Sequence, residues 1–143
     1  RVARTLGGDL DPKSPLDEVA LSQRISSISP LNNSAYLRES RVISQLASKI
    51  QARGGHVIFV AMPSSGMVRE IEKRRYPREH FWNRFVNESD AIEIHSAYEP
   101  TLQNFICPDG SHLDMRDRAR FTRKLLCAIN RNGYKILPDD CKE

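Results

Sequence analysis

No apolar run in this 143-residue chain approaches the roughly 18 residues that a membrane helix needs, so no membrane segment is expected within it. The opening residues, Arg1-Val2-Ala3-Arg4, lack the apolar block of a secretory signal. There is no long low-complexity run, and hydrophobic residues at 39% with charged residues at 28% describe a chain that folds. Cysteine is scarce: Cys107, Cys127 and Cys141 are odd in number, lack C-x-x-C spacing and do not fix a redox compartment. No ligand spacing such as H-x-x-x-H links His56, His80, His95, His112 or Cys107, and no metal or other cofactor is expected. Charge of one sign is also modest. The net value is +4, and both basic clusters, Lys73-Arg74-Arg75 with Arg78 and Arg116 to Lys124, are interleaved with acids. Without a nucleic-acid motif or stacking aromatics, these read as solvated helix faces and argue against a nucleic-acid partner.

What is present has the size of one domain. Residues 1–33 form a weakly patterned lead-in, in which Ser14-Pro15-Leu16-Asp17 has the character of a helix start and Pro30 closes the segment. Ile43, Leu46, Ala47 and Ile50 then recur at three and four residues, predicting an amphipathic helix of about five turns that begins after Asn33-Ser34 and stops at Gly54-Gly55. The run His56 to Met62 is apolar and β-branched, the pattern of a strand buried on both faces of a parallel sheet. Helical periodicity returns at Met67, Val68 and Ile71, breaks near Pro77 and resumes at Phe81, Trp82 and Phe85, aromatics expected in the core.

Ala91 to His95 is a second strand, making residues 57–95 a β-α-β unit. Asp114 can cap a final helix with Phe121, Leu125, Ala128 and Ile129 on one face, ending near Asn132-Gly133. Residues 134–143 read as a polar tail that frays. Two strands are few for an open sheet. Together with the absence of an initiator Met, this leads to the expectation that the chain is the C-terminal part of a larger α/β domain.

The chemically suggestive segment is Phe105 to Leu113, which contains Cys107-Pro108-Asp109-Gly110-Ser111-His112. A serine hydrolase needs a histidine that accepts the nucleophile's proton and a carboxylate that holds the other ring nitrogen. Asp109 and His112, three residues apart on a loop that Gly110 lets turn sharply, can meet locally. With nine Asp and four His in the chain, such a spacing arises by chance about one time in four, and Asp109-Gly110 is also an ordinary turn dipeptide. The position after a strand and before a helix is where open α/β folds place their sites.

Asp109-Gly110-Ser111-His112-Leu113 before the last helix resembles the D-x-x-H block of the SGNH (GDSL-type) hydrolase superfamily. The order of elements over residues 35–130 is similar to the C-terminal half of those proteins, particularly bacterial members that modify acyl groups of the cell envelope or of polysaccharides. The resemblance implies a three-layer flavodoxin-like fold, His112 as general base, Asp109 as its orienter, and small-molecule or polysaccharide O-acyl esters as substrates. The chain departs from the family at the nucleophile, where Gly8-Asp9-Leu10 has leucine in place of serine. It departs again at the oxyanion block, for which Asn32-Asn33 lacks the neighbouring Gly and Asp.

Ser64 and Ser65, between a strand and a helix, occupy the place of a nucleophile elbow, but Pro63-Ser64-Ser65-Gly66-Met67 is not G-x-S-x-G. Capping of the following helix is their ordinary role, with nucleophile or substrate contact as the alternatives. Cys107 reads as buried packing and His95 as a hydrogen-bonded core or rim histidine. The leading expectation is a serine ester hydrolase or acyl transferase whose serine lies outside this chain. The alternative is a non-catalytic binding or assembly module on the same scaffold, whose basic helices contact an anionic polymer or a partner protein.

Overall fold

A computed structural model describes residues 23, 24, 27–29, 32–136 and 141. The helix start at Ser14, the Gly8-Asp9-Leu10 stretch and most of the tail lie outside the described residues. Those described form an α/β arrangement. In order they are α1 (Asn33–Gln51), β1 (Ile58–Ala61), α2 (Gly66–Arg75), α3 (Trp82–Val86), β2 (Ile92–His95), a 3-10 turn (Met115–Asp117) and α4 (Arg118–Arg131). None of these helices is long and apolar enough to cross a membrane.

β1 and β2 run parallel, with Ile58 opposite Ile92 and Ala61 opposite His95. A parallel pair cannot be joined by a tight turn, and α2 and α3 supply the crossover. Expected to be buried on both faces, β1 is instead only partly buried along its whole length. Its sheet has two strands among the described residues, and Phe59 packs against Phe85 of α3, with ring centroids 4.5 Å apart. The core lies on the other strand: Ile94 of β2 meets Leu102 and Phe105 from the following segment and Phe121, Ala128 and Ile129 of α4. The predicted apolar face of α4 is therefore the face it buries, with Leu125 packed half-buried at its margin. Asp114 caps the entry to this helix by accepting from the Arg116 amide at 2.8 Å, and the Arg116 guanidinium bound to it lowers its carboxyl to about 2.

α1 begins slightly before the expected start after Asn33-Ser34, with the Asn32 side chain accepting from the Ser34 amide at 2.9 Å. Its rotation is not the expected one. Val42, Ile43, Leu46 and Ile50 remain 43–53% exposed, while Ser40, Ser44 and Ala47 are buried. The cause is Tyr36, whose ring meets Phe81 edge-on at 4.8 Å and whose hydroxyl donates to the Phe81 carbonyl at 2.7 Å. Ser40, Ser44 and Ala47 follow Tyr36 on the same helical face, so fixing Tyr36 turns the small side chains inward and lets the helix approach closely. Ser40 satisfies its buried hydroxyl by donating back to the Tyr36 carbonyl at 2.8 Å.

The aromatics expected in the core also differ, since Phe81, Trp82 and Phe85 are only half-buried. The tail departs from simple fraying, because Cys141 forms a disulfide with Cys127 of α4. Cys107 is left as a free, buried thiol.

Candidate functional site

The loop after Phe105 is held against the start of α2 by contacts that sequence spacing does not reveal. The Ser65 hydroxyl accepts from the Cys107 amide at 2.9 Å, the Ser65 amide donates to the Gly110 carbonyl at 2.9 Å, and the Cys107 thiol donates to the Pro63 carbonyl at 3.2 Å. Burial pushes the Cys107 thiol up, consistent with a packing role. Gly110 turns the chain at φ +85°, and a Cβ there would lie 2.5 Å from Val68 Cγ2 and 3.3 Å from the Ser65 carbonyl oxygen. Glycine is required on both counts, backbone angle and space.

This anchored turn presents Asp109 and His112 to each other. One oxygen of Asp109, Oδ1, accepts from the Ser111 amide at 2.9 Å and the His112 amide at 2.7 Å. The other, Oδ2, meets His112 Nδ1 at 2.6 Å. Burial raises the carboxyl, but these three donors outweigh it and hold Asp109 below the ordinary carboxylate range. The carboxylate is 23% exposed and the imidazole 75% exposed, so the orienting group is sheltered and the oriented ring faces outward. Nδ1 is thus engaged by Asp109 and by the Ser111 hydroxyl 3.1 Å away, and Nε2 is the ring nitrogen left on the outward side.

No serine among the described residues is hydrogen-bonded to Nε2. Ser111 approaches Nδ1, the wrong nitrogen for a nucleophile. Ser64 donates to Glu72 Oε2 at 2.5 Å. Ser65 occupies the N-cap position of α2 but makes no side-chain cap bond, because its hydroxyl is taken by Cys107. The capping role is thus positional only, and both hydroxyls are engaged away from the histidine.

Beside the loop, beyond the carboxyl ends of β1 and β2, lies a cavity of about 730 Å³ that Ser64 and Ser111 border. Its wall is aromatic, formed by Tyr36, Tyr76, Phe81, Trp82 and Tyr98. His95, Ser96 and Ala97 reach it from the end of β2. This crevice at the carboxyl ends of parallel strands is the usual ligand position in an open α/β sheet. His95 sits on its rim as a partly buried ring that accepts weakly from the Ala97 amide at 3.3 Å and packs edge-on against Trp82 and Tyr98. Burial, reinforced by the charge of Arg78, lowers its pKa despite the opposing pull of Glu93.

Sequence reasoning found the Asp109–His112 loop and missed the cavity. The available signal was the clustering of aromatics at 76, 81 and 82 around the Pro77 helix break, where side chains at a chain reversal converge. Among the described residues, no three His, Cys, Asp or Glu side chains gather as a metal-ligand set. Comparison of the chain with protein-family models, with curated proteins and with solved structures finds no match.

Proposed function

We propose that this chain carries the base and orienter of a serine ester hydrolase or acyl transferase of the SGNH type, acting on O-acyl esters, on a three-layer flavodoxin-like scaffold. The observation that carries the reading is the 2.6 Å contact from His112 Nδ1 to Asp109 Oδ2, made on a sheltered turn with Nε2 left outward. Parallel strands and the adjoining crevice support it. The serine is assigned to polypeptide outside the described residues, since Ser64, Ser65 and Ser111 are committed elsewhere.

In this reaction Nε2 takes the serine proton as the serine oxygen bonds to the acyl carbon, and Asp109 stabilises the resulting imidazolium. Collapse of the tetrahedral intermediate breaks the bond to the alcohol oxygen, which receives the proton from Nε2. A water or acceptor alcohol then releases the acyl group by the same steps in reverse order.

The test is hydrolysis of p-nitrophenyl acetate by the full-length polypeptide. His112→Ala is expected to lower the rate by about 10²–10⁴-fold with the fold intact, and Asp109→Asn comparably. A serine outside the described residues, labelled by a fluorophosphonate, agrees with the reading. Absence of labelling and turnover in that polypeptide sinks it and leaves a non-catalytic module.

A further inference from the structure

Two residues of the cavity wall each carry a buried polar atom that the fold leaves without a partner. Arg78 Nε, in the cavity wall, is buried and has no acceptor. The Ser96 hydroxyl, on a residue 1% exposed at the end of β2, has no partner either. Buried donors without acceptors are uncommon, and each is a group that a ligand oxygen can satisfy. Ser96 is fixed in place because its amide donates to the Ala61 carbonyl at 3.0 Å.

Arg78 is also fixed. Its guanidinium lies over the Tyr98 ring, 4.0 Å from the centroid. Stacking on an aromatic face leaves the in-plane N–H edge of a guanidinium available for a carboxylate or phosphate. No carboxylate forms an ion pair with Arg78 among the described residues. The other charges of the wall are more engaged: Lys73 pairs with Glu70, Arg69 Nε donates to the Ser64 carbonyl, and Glu72 accepts from Ser64. Glu79 is exposed at the margin, leaving the wall with three cations against two carboxylates.

We propose that this cavity binds a ligand bearing an oxyanion, a carboxylate or a phosphate, which Arg78 and Ser96 hold while the rest of the ligand lies against the aromatic wall. The inference goes beyond the ester-hydrolase reading, because it needs no nucleophile and does not involve His112. Flat apolar rings suit the face of a sugar or a small apolar body, and the guanidinium fixes its charged end.

Trp82 is the single tryptophan of the chain and stands in the cavity wall, so its fluorescence reports binding directly. Titration of the full chain with glucuronate and with glucose 6-phosphate is expected to give a saturable change with at least one of them, and glucose none within the same range. The stronger of the two identifies the anion as carboxylate or phosphate. Arg78→Gln is expected to weaken that binding at least tenfold, Arg78→Lys less, and Ser96→Ala about threefold. Arg84→Gln should bind as the unaltered chain does. Each variant's fold is checked by circular dichroism. Equal response to glucose, no response to either anion, or unchanged affinity in a folded Arg78→Gln or Arg78→Lys protein overturns the proposal. Loss of esterase activity in His112→Ala bears on the other reading alone.

Discussion

Ser65 and Cys107, 42 positions apart in the chain, are joined by a hydrogen bond from the cysteine amide to the serine hydroxyl at 2.9 Å. The bond fastens the loop that carries Asp109 and His112 to the segment connecting β1 with α2. A serine that sequence position makes a candidate nucleophile is by this contact a brace for the base.

Ser65→Ala leaves the Cys107 amide without its acceptor, which costs about 1–3 kcal/mol where the amide stays buried. Urea denaturation should show that loss, and Ser64→Ala, whose partner is the exposed Glu72, should lie within about 0.5 kcal/mol of the parent. In the full-length polypeptide, neither substitution should abolish fluorophosphonate labelling. Labelling lost in Ser65→Ala or Ser64→Ala would return that serine to the role of nucleophile.

Gly110→Ala combines a positive φ with a clash against Val68. A destabilisation of about 2–4 kcal/mol is expected, from backbone strain and overpacking together. Adding Val68→Ala removes the steric part and not the backbone part, so the double variant should recover some stability over Gly110→Ala. Purely additive losses in the thermal midpoints of the four proteins would refute the contact.

Asp109 has a folded pKa below its unfolded value of about 3.9, the hydrogen bonds from Ser111 and His112 having overcome burial. Its contribution to stability is therefore present above about pH 4 and is lost as the pH falls through the lower, folded value. Asp109→Asn should be less stable than the parent at neutral pH, and the gap between their melting temperatures should close below about pH 3. A gap that stays constant down to pH 2 contradicts the assigned carboxylate.

Tyr36→Phe keeps the edge-on ring contact with Phe81 and deletes the hydrogen bond to its carbonyl. The expected cost is about 1 kcal/mol. Because this contact fixes the rotation of α1, amide hydrogen exchange should rise along α1 more than along α4. Uniform change across both helices would mean that Tyr36 does not act as the local fastener.

The features legible in the sequence are those determined within a few residues. The glycine turn after α1, the β-branched strand near Val60 and the Asp109–His112 turn all depend on local backbone chemistry. The apolar stripe of α1 was visible as a stripe, but its direction depends on Tyr36 meeting Phe81 across 45 positions. Burial of β1 was overestimated because apolar, β-branched residues describe what a strand tolerates, whereas its neighbours decide what it receives. The cavity assembles residues from Tyr36 to Ser111, and no short pattern encodes that convergence. Ser65 shows the same limit within the candidate site: its place before a helix was readable, and its partner 42 positions away was not.

The bond between Cys127 and Cys141 has a topological consequence. It closes the end of α4 and the stretch after it into a covalent ring, so a single cut of the backbone between the two cysteines separates no mass from the protein. Both pieces would travel together until reduced, and a nicked chain would be indistinguishable in size from an intact one under non-reducing conditions.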